Sequence, residues 1–242
     1  MPIRMIRLTK NTSYGVFMQD KQLPEWEALL SSVAHLQTLI PDAVLVGGTA
    51  AATYARHRLS VDHDHTLSNL KERFDEILGS LESVAGWETA RVRRPVLTLG
   101  SLDGIETGIR QLIREEPLET DEVEVDGVRL RVPTKEEMFR IKAVLVLKRN
   151  ATRDYLDVAA MGDVLGDDGI RRALSRFDEL YPQTNNSSPL QQLANQLAKP
   201  MPFDLEDTDL GEYKQLVKKY QNWETVKAMC CHIAVDVIHA ML

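Results

Sequence analysis

Cysteine is nearly absent from this chain of 242 residues: Cys230 and Cys231 are its only two, and they are adjacent. Neighbouring cysteines inside a helical pattern suit neither a structural disulfide nor a zinc site. Long apolar runs are missing as well. None approaches the roughly 18 residues that a membrane span requires, so no membrane partner is expected. The stretch Met1 to Asn11 scatters Arg4, Arg7 and Lys10 among apolar residues and lacks the apolar core of a signal peptide. These absences together predict a cytoplasmic protein. Positive charge is not in excess either. A net charge of −7 argues against a surface devoted to nucleic acid, because neutralising phosphates takes clustered Lys and Arg. Two local patches stand out: Arg91, Arg93 and Arg94 lie close together, and Arg110 and Arg114 fall one turn apart if that segment is helical. The plainer reading of both is a solvated face of mixed charge.

What is present is an ordinary globular balance, 43% hydrophobic and 27% charged, in a chain long enough for one or two domains. Trp26, Leu29, Leu30, Val33 and Leu36 recur at helical spacing between Leu23 and Ile40. A short apolar run, Ala43 to Val46, leads into Gly47-Gly48-Thr49 and the Ala-rich stretch Ala50 to Ala55, which reads as strand, tight turn and helix start with Thr49 as N-cap. Ser60 to Thr66 reads as a strand, and Leu70 to Val84 as a helix with Leu70, Phe74, Ile77, Leu78 and Leu81 on one stripe. Period two then takes over: strands at Trp87–Val92, Pro95–Leu99 and Ile105–Ile109, with Asp103-Gly104 as a hairpin turn, and a second hairpin at Val123–Val132 around Asp126-Gly127. From Thr134 the chain reads as helical. Thr134 and Glu137 match a capping box for a helix to Arg149. Further helices are expected near 151–164, 167–181, 189–199, 208–221 and 223–241, with a loop at Pro182–Pro189. The pattern predicts an α+β fold: a mixed sheet flanked by helices over residues 1–132, then a helical domain over 133–242.

The informative stretch is VLVGGTAAATYARHRLSVDHDHTL, Val44 to Leu67. On a strand, residues two apart share a side, so Asp62 and Asp64 project together while Val61, His63 and His65 face away. Two neighbouring carboxylates repel one another unless a cation sits between them, and hard divalent ions favour such oxygen ligands. Upstream, the Gly47-Gly48 turn admits a phosphate to the backbone, and the following helix start offers it unpaired N–H groups. A phosphate cradle beside a carboxylate pair is equipment for metal-assisted phosphoryl or nucleotidyl transfer. Lys142 and Arg149, seven residues apart on one helix, form a basic stripe suited to a triphosphate tail. The plainer alternative for Lys142 is a side chain snorkelling to water.

This run resembles the first motif of the DNA polymerase β-like nucleotidyltransferases, in particular the AbiEii/AbiGii toxin family, whose members read hhGGTA and then R-x-S-x-D-x-D, as Arg58-x-Ser60-x-Asp62-x-Asp64 does here. Pro133 to Met161 resembles the family's later block, a helical lysine followed by an Arg and by D-Y-x-D-hydrophobic (Asp154, Tyr155, Asp157). The matching segments fall between about residues 43 and 161, roughly half of the chain. The resemblance implies a nucleotidyltransferase-type fold that binds Mg²⁺ (or Mn²⁺) and a nucleoside triphosphate, with tRNA or a protein as acceptor. It implies the toxin role in a toxin–antitoxin or phage-defence system, with an antitoxin protein as partner. It also implies phosphate contacts from Gly47, Gly48 and Thr49, with Ser60 in the same motif, metal binding by Asp62 and Asp64, triphosphate neutralisation by Lys142, and an acidic residue near the acceptor at Asp154, with Asp157 the second choice. Many polymerase β-like enzymes place a third carboxylate on a neighbouring strand, a position that reduced members of the superfamily lack, and Glu106 is the best candidate for it here. Its competitor Asp103 is better explained as turn chemistry.

His63 and His65 stand where the family commonly has apolar residues. Alternation turns them from the aspartates, which favours core histidines bonded to backbone over metal ligands. Three functions are therefore weighed: a nucleotidyltransferase, a metal-dependent phosphohydrolase using the Asp/His cluster, and a catalytically silent binding module of the same fold.

Overall fold

The computed structural model describes residues 6–7, 23–184 and 186–241. Most of the stretch Met1 to Asn11, and Asn185 in the loop, lie outside them. The chain divides into two compact units, the first comprising residues 1–50 and 60–133 and the second residues 51–59 and 134–242.

The first unit carries two sheets. One is five-stranded in the order β2-β3-β6-β5-β4, built from β2 (Val44–Val46), β3 (His63–Leu67), β4 (Trp87–Arg93), β5 (Leu97–Leu102) and β6 (Ile105–Gln111). It is mixed: β3 runs parallel to β6, and its other neighbouring pairs are antiparallel. The other sheet pairs β7 (Thr120–Val125) with β8 (Val128–Pro133) and adds β1 (Ile6–Arg7) in parallel to β7. Both hairpins close as the sequence predicts, through left-handed pairs Asp103-Gly104 (φ 54° and 78°) and Asp126-Gly127 (φ 49° and 85°). The strands around the first turn are longer than expected, because Leu97 still pairs with Arg110 beyond the predicted end of the ladder. Arg110 is therefore a strand residue, and the helical spacing imagined for Arg110 and Arg114 does not occur.

Helix α3 (Leu70–Glu82) buries its periodic stripe against one face of the five-stranded sheet, while α1 (Leu23–Leu39) packs along β8 and reaches the same cluster through Leu36. Leu70, Phe74, Ile77, Leu78 and Leu81 of α3 join Leu36, Ile40, Ala43, Leu67, Trp87, Leu102 and Ile109 in a continuous apolar cluster. Each Leu, Ile or Phe of this cluster contributes about 2 kcal/mol on removal from water. Gln37 stitches α1 to β8, its amide donating to Arg131 O at 2.8 Å and accepting from Arg131 N at 2.9 Å.

The second unit is helical, with α4 (Lys135–Arg149), α5 (Thr152–Leu174), α6 (Phe177–Leu180), α7 (Pro189–Ala198) and α8 (Trp223–Met241). Thr134 caps α4 as its sequence predicts, accepting from Glu137 N at 3.1 Å, and Asn150 ends that helix in the left-handed conformation. Gly166 (φ 64°, ψ 173°) interrupts α5, so the break expected between 164 and 167 is a kink rather than a loop. The helix expected at 208–221 is not formed; the segment holds two short 3-10 turns. Backbone bonds from Leu59 N to Lys214 O (2.9 Å) and from Val217 N to His57 O (2.8 Å) take the groups a helix would need.

Candidate active site

Strand β2 runs into helix α2 (Gly47–Ala55) with no loop between them. The helix begins at Gly47, two residues earlier than the expected cap at Thr49. Gly47 has φ +78°, which a residue with a Cβ adopts only under strain, and that bend turns the chain from sheet to helix. Thr49 is buried, and its hydroxyl donates to Asp62 O at 2.5 Å. Its work is to hold the backbone of the Asp62 loop against the helix start.

Strand β3 begins at His63, so Asp62 is the last residue before the ladder and Asp64 the second within it. Ser60 donates its hydroxyl to Asp62 Oδ1 at 2.7 Å and fixes that carboxylate. Asp64 pairs across the sheet with Gly108 on one side and Val46 on the other. This register sets Gly47 beside it: a Cβ at 47 would lie 3.6 Å from Asp64 Cβ. A Cβ at 108 would lie 3.0 Å from Asp64 Oδ1 and 2.6 Å from Leu99 Cδ2. Two glycines thus make the room in which the Asp64 carboxylate sits. Arg110 lies 3.5 Å from Asp64 Oδ1, an ion pair at the outer limit of hydrogen-bond distance.

Parallel pairing carries the alternation to β6. Since Gly108 faces with Asp64, Glu106 and Arg110 share that face. Asp62, Asp64, Glu106 and Arg110 line one cleft of about 510 Å³, with Glu88, Thr89 and Ala90 of β4, Leu99, Gly100 and Ser101 of β5, and His63 and Thr107 at its floor. The carboxylates do not converge as a threesome within ligand distance. Among the described residues that convergence is met only by Asp167, His232 and Asp236 in the second unit, where Arg171 already binds Asp236 at 2.6 Å. Carboxylates without a compensating cation hold apart. The donor set suits a hard divalent ion: oxygen ligands from Asp62 and Asp64 on a rigid strand start, Glu106 on the adjoining strand, and a glycine-lined space beside them.

The two histidines face the core. His63 bonds to Ser32 Oγ at Nε2 and to Thr107 Oγ1 at Nδ1, each at 3.0 Å. These partners are side chains rather than the expected backbone groups. Burial pushes the His63 pKa down to about 4, outweighing the opposite pull of Asp62. Burial likewise holds His65 well below its usual value, helped by His63. Both rings are neutral and buried; His63 borders the cleft, but Ser32 and Thr107 occupy both of its nitrogens.

In the second unit, the residues of the later block are consumed by ion pairs. Lys142, expected at a triphosphate, is buried with its ammonium 2.7 Å from Asp157 Oδ2. Asp157 also accepts from Arg58 Nε at 2.9 Å and Nη2 at 3.1 Å, and from His57 Nε2 at 2.7 Å. Burial raises the Asp157 pKa, but Arg58, Lys142 and His57 together hold it well below the carboxylate range. Burial lowers His57, so its ring is neutral and donates from Nε2 while Nδ1 has no partner. Arg149 grips the buried Asp154 through two bonds, 3.1 and 2.5 Å. The sequence reading missed Arg110 and Gly108, although the spacing 106, 108, 110 on a strand was a signal for both.

No protein-family model matches the chain. It is 30% identical to the mycolic acid-containing lipids exporter MmpL11 of Mycolicibacterium smegmatis over 226 residues, 87% of this chain and 21% of that protein. It is 32% identical to the heme uptake protein MmpL11 of Mycobacterium tuberculosis over 128 residues, 52% of this chain. The chain spans only 13% of the length of that relative, and none of its described helices is long and apolar enough to cross a membrane. Among solved structures it is similar to JHP933 of Helicobacter pylori, with a TM-score of 0.52 at 15% identity over 90% of this chain and 92% of that one. It is also similar to an antigenic nucleotidyltransferase-like protein of Paracoccidioides brasiliensis, with a TM-score of 0.51 at 16% identity over 76% of this chain and 91% of that one. The mixed sheet flanked by helices, with a helical C-terminal region, is a nucleotidyltransferase-type fold.

Proposed function

We propose that this chain is a metal-dependent nucleotidyltransferase that moves a nucleotide from a nucleoside triphosphate to an acceptor hydroxyl. The observation that carries the reading is the cleft in which Asp62, Asp64 and Glu106 share one sheet face beside the Gly47 bend. Asp62 and Asp64 would hold Mg²⁺ or Mn²⁺, with Glu106 turning in as a third ligand. The bound ion supplies neutralisation of the triphosphate and of the departing charge. Gly47, Gly48 and the start of α2 bring backbone N–H groups to the phosphates, and Arg110, the cation nearest Asp64, takes the triphosphate role that Lys142 cannot fill while buried on Asp157. The acceptor oxygen loses its proton to a carboxylate of the pair and bonds to the α-phosphorus. The bond from that phosphorus to the bridging oxygen breaks in line, and pyrophosphate leaves. Lys142, Arg149, Asp154 and Asp157 serve as scaffold. With both nitrogens of His63 bonded to Ser32 and Thr107 and His65 buried in the core, the histidines are poorly placed to act as the ligands a phosphohydrolase would add. The AbiEii-like assignment, with its cytoplasmic toxin role and antitoxin partner, is supported by the Arg58-x-Ser60-x-Asp62-x-Asp64 match.

The direct test is to incubate the protein with each labelled triphosphate, Mg²⁺ and candidate acceptors. Acceptor-dependent pyrophosphate release with label on the acceptor is expected; phosphate release without acceptor would instead identify a hydrolase. Gly108→Ala gives a finer check. Its methyl group meets the end of the Leu99 side chain and one oxygen of Asp64, so overpacking costs about 1–3 kcal/mol, while the displaced carboxylate lowers transfer further than that loss explains. Equal activity per folded molecule would refute the placement of Asp64.

A further inference from the structure

The sheet face that carries Asp62 and Asp64 continues across β5 to β4, and its charge changes sign along the strands. Register places Glu106, Ser101 and Glu88 in one row, then Asp64, Gly108, Leu99 and Arg91 in the next, then Thr66, Arg110, Leu97 and Arg93 in a third. Residues in a row project from the same side. Leu99 confirms the side, since its Cδ2 approaches the same Cβ position at Gly108 that Asp64 Oδ1 approaches. Arg91 and Arg93 are therefore on the catalytic face, not its back. Both are exposed, and neither has an ion-pair or hydrogen-bond partner among the described residues. Arg94, by contrast, is tied to Asp75 and stacks over Phe74.

We infer that Arg91 and Arg93 form a second phosphate site, which binds the phosphodiester backbone of a single-stranded nucleic-acid acceptor. This rests on the transferase reading for its role in turnover. Distance separates the site from the triphosphate's own. Asp64 on β3 and Arg91 on β4 are three strand spacings apart, about 14 Å from backbone to backbone. A triphosphate with its α-phosphorus at the aspartate pair ends two phosphoanhydride bridges away, within the province of Arg110 on the adjoining strand. Leu97 and Leu99 lie between the two basic positions and Arg110, half-buried and apolar, a floor on which unpaired bases can rest while the backbone meets the guanidiniums. With a net charge of −7, the chain as a whole repels a polyanion, so two cations without a counter-charge on the face of the carboxylate cleft give one a place to dock beside it.

The test measures binding of a fluorescent single-stranded RNA oligonucleotide to the full-length protein by anisotropy, over a range of salt concentrations and without nucleotide. The double variant R91A/R93A should weaken binding by about tenfold for each arginine, since a charge-assisted contact is worth close to that factor, and should flatten the slope of log affinity against log salt by about 1.4. Arg129→Ala, the same charge change on β8, should leave both unaltered. Triphosphate binding should be unchanged in R91A/R93A and weakened in Arg110→Ala. Affinity and slope unaltered in R91A/R93A, or no RNA binding by the parent, overturns the inference, as does label transfer to a protein acceptor that R91A/R93A leaves intact. Arginine-dependent RNA binding without transfer would keep this site and sink the transferase reading instead.

Discussion

Replacing Asp64 by Asn is expected to cut nucleotide transfer by about a thousandfold or more while leaving the fold as stable as the parent or slightly more so. The rate estimate follows from what a carboxylate-held divalent ion contributes to the transition state, several kcal/mol, with each 1.36 kcal/mol a factor of ten. The stability estimate follows from what Asp64 does in the folded chain. Its cationic neighbour is Arg110 at 3.5 Å, half-exposed, and such a pair is worth under about 1 kcal/mol. Against that small gain stands the nearness of Asp62 and Glu106 on the same face, whose repulsion the Asn relieves. Asp62→Asn should behave alike in rate, with a slightly larger loss of stability because Ser60 Oγ donates to that carboxylate at 2.7 Å. Transfer kinetics and urea unfolding on both variants separate the outcomes. An Asp64→Asn protein that still transfers nucleotide ends the metal-ligand assignment. One that unfolds shows Asp64 to be structural.

The contrast between Asp64 and Lys142 shows what the sequence could and could not convey. Alternation along a strand is local, so D-x-D at 62 and 64 and the core direction of His63 and His65 followed from spacing alone, as did the apolar stripes of α1 and α3. Whether a charged side chain is free is not local. Lys142 sits in a helix whose period marks it as neither core nor surface, and its partner Asp157 lies one helix further on. Only packing decides that the two meet at 2.7 Å, with His57 and Arg58 arriving from 100 and 99 residues away. Sheet order was likewise unreadable: that β6 inserts between β3 and β5 is what sets Glu106 and Arg110 beside the aspartates. The helix expected at 208–221 failed for the same reason, because the bonds that replace it join Lys214 and Val217 to Leu59 and His57, which are distant in sequence.

The largest stability effect should come from Asp157, away from any proposed metal ligand. It is 1% exposed and is the shared anion of Arg58, Lys142 and His57 within the second unit. Asp157→Ala strands a buried ammonium and a guanidinium without their counter-charge, a loss of about 3–5 kcal/mol, against a total stability of about 5–15 kcal/mol for a typical domain. The urea midpoint should fall accordingly, and a shift below about 1 kcal/mol would mean that water or another anion takes the site. Adding Lys142→Met to Asp157→Leu should recover part of the loss, since an apolar pair of similar volume needs no compensation. If it recovers nothing, Arg58 is the cation that matters. The same cluster sets a pH dependence. Burial lowers His57 below its ordinary 6.5, so as pH falls through 6.5 the unfolded chain takes up a proton that the folded one refuses, and stability declines. Asp157, held well below its ordinary 3.8, adds stability that is whole above that value and disappears only as pH drops through its folded value. Unfolding midpoints should therefore fall from pH 7.5 to 5 in the parent and fall less steeply in His57→Gln. A parallel decline in the two proteins would show that His57 is already charged when folded, and that its 2.7 Å contact with Asp157 is an ion pair rather than a neutral hydrogen bond.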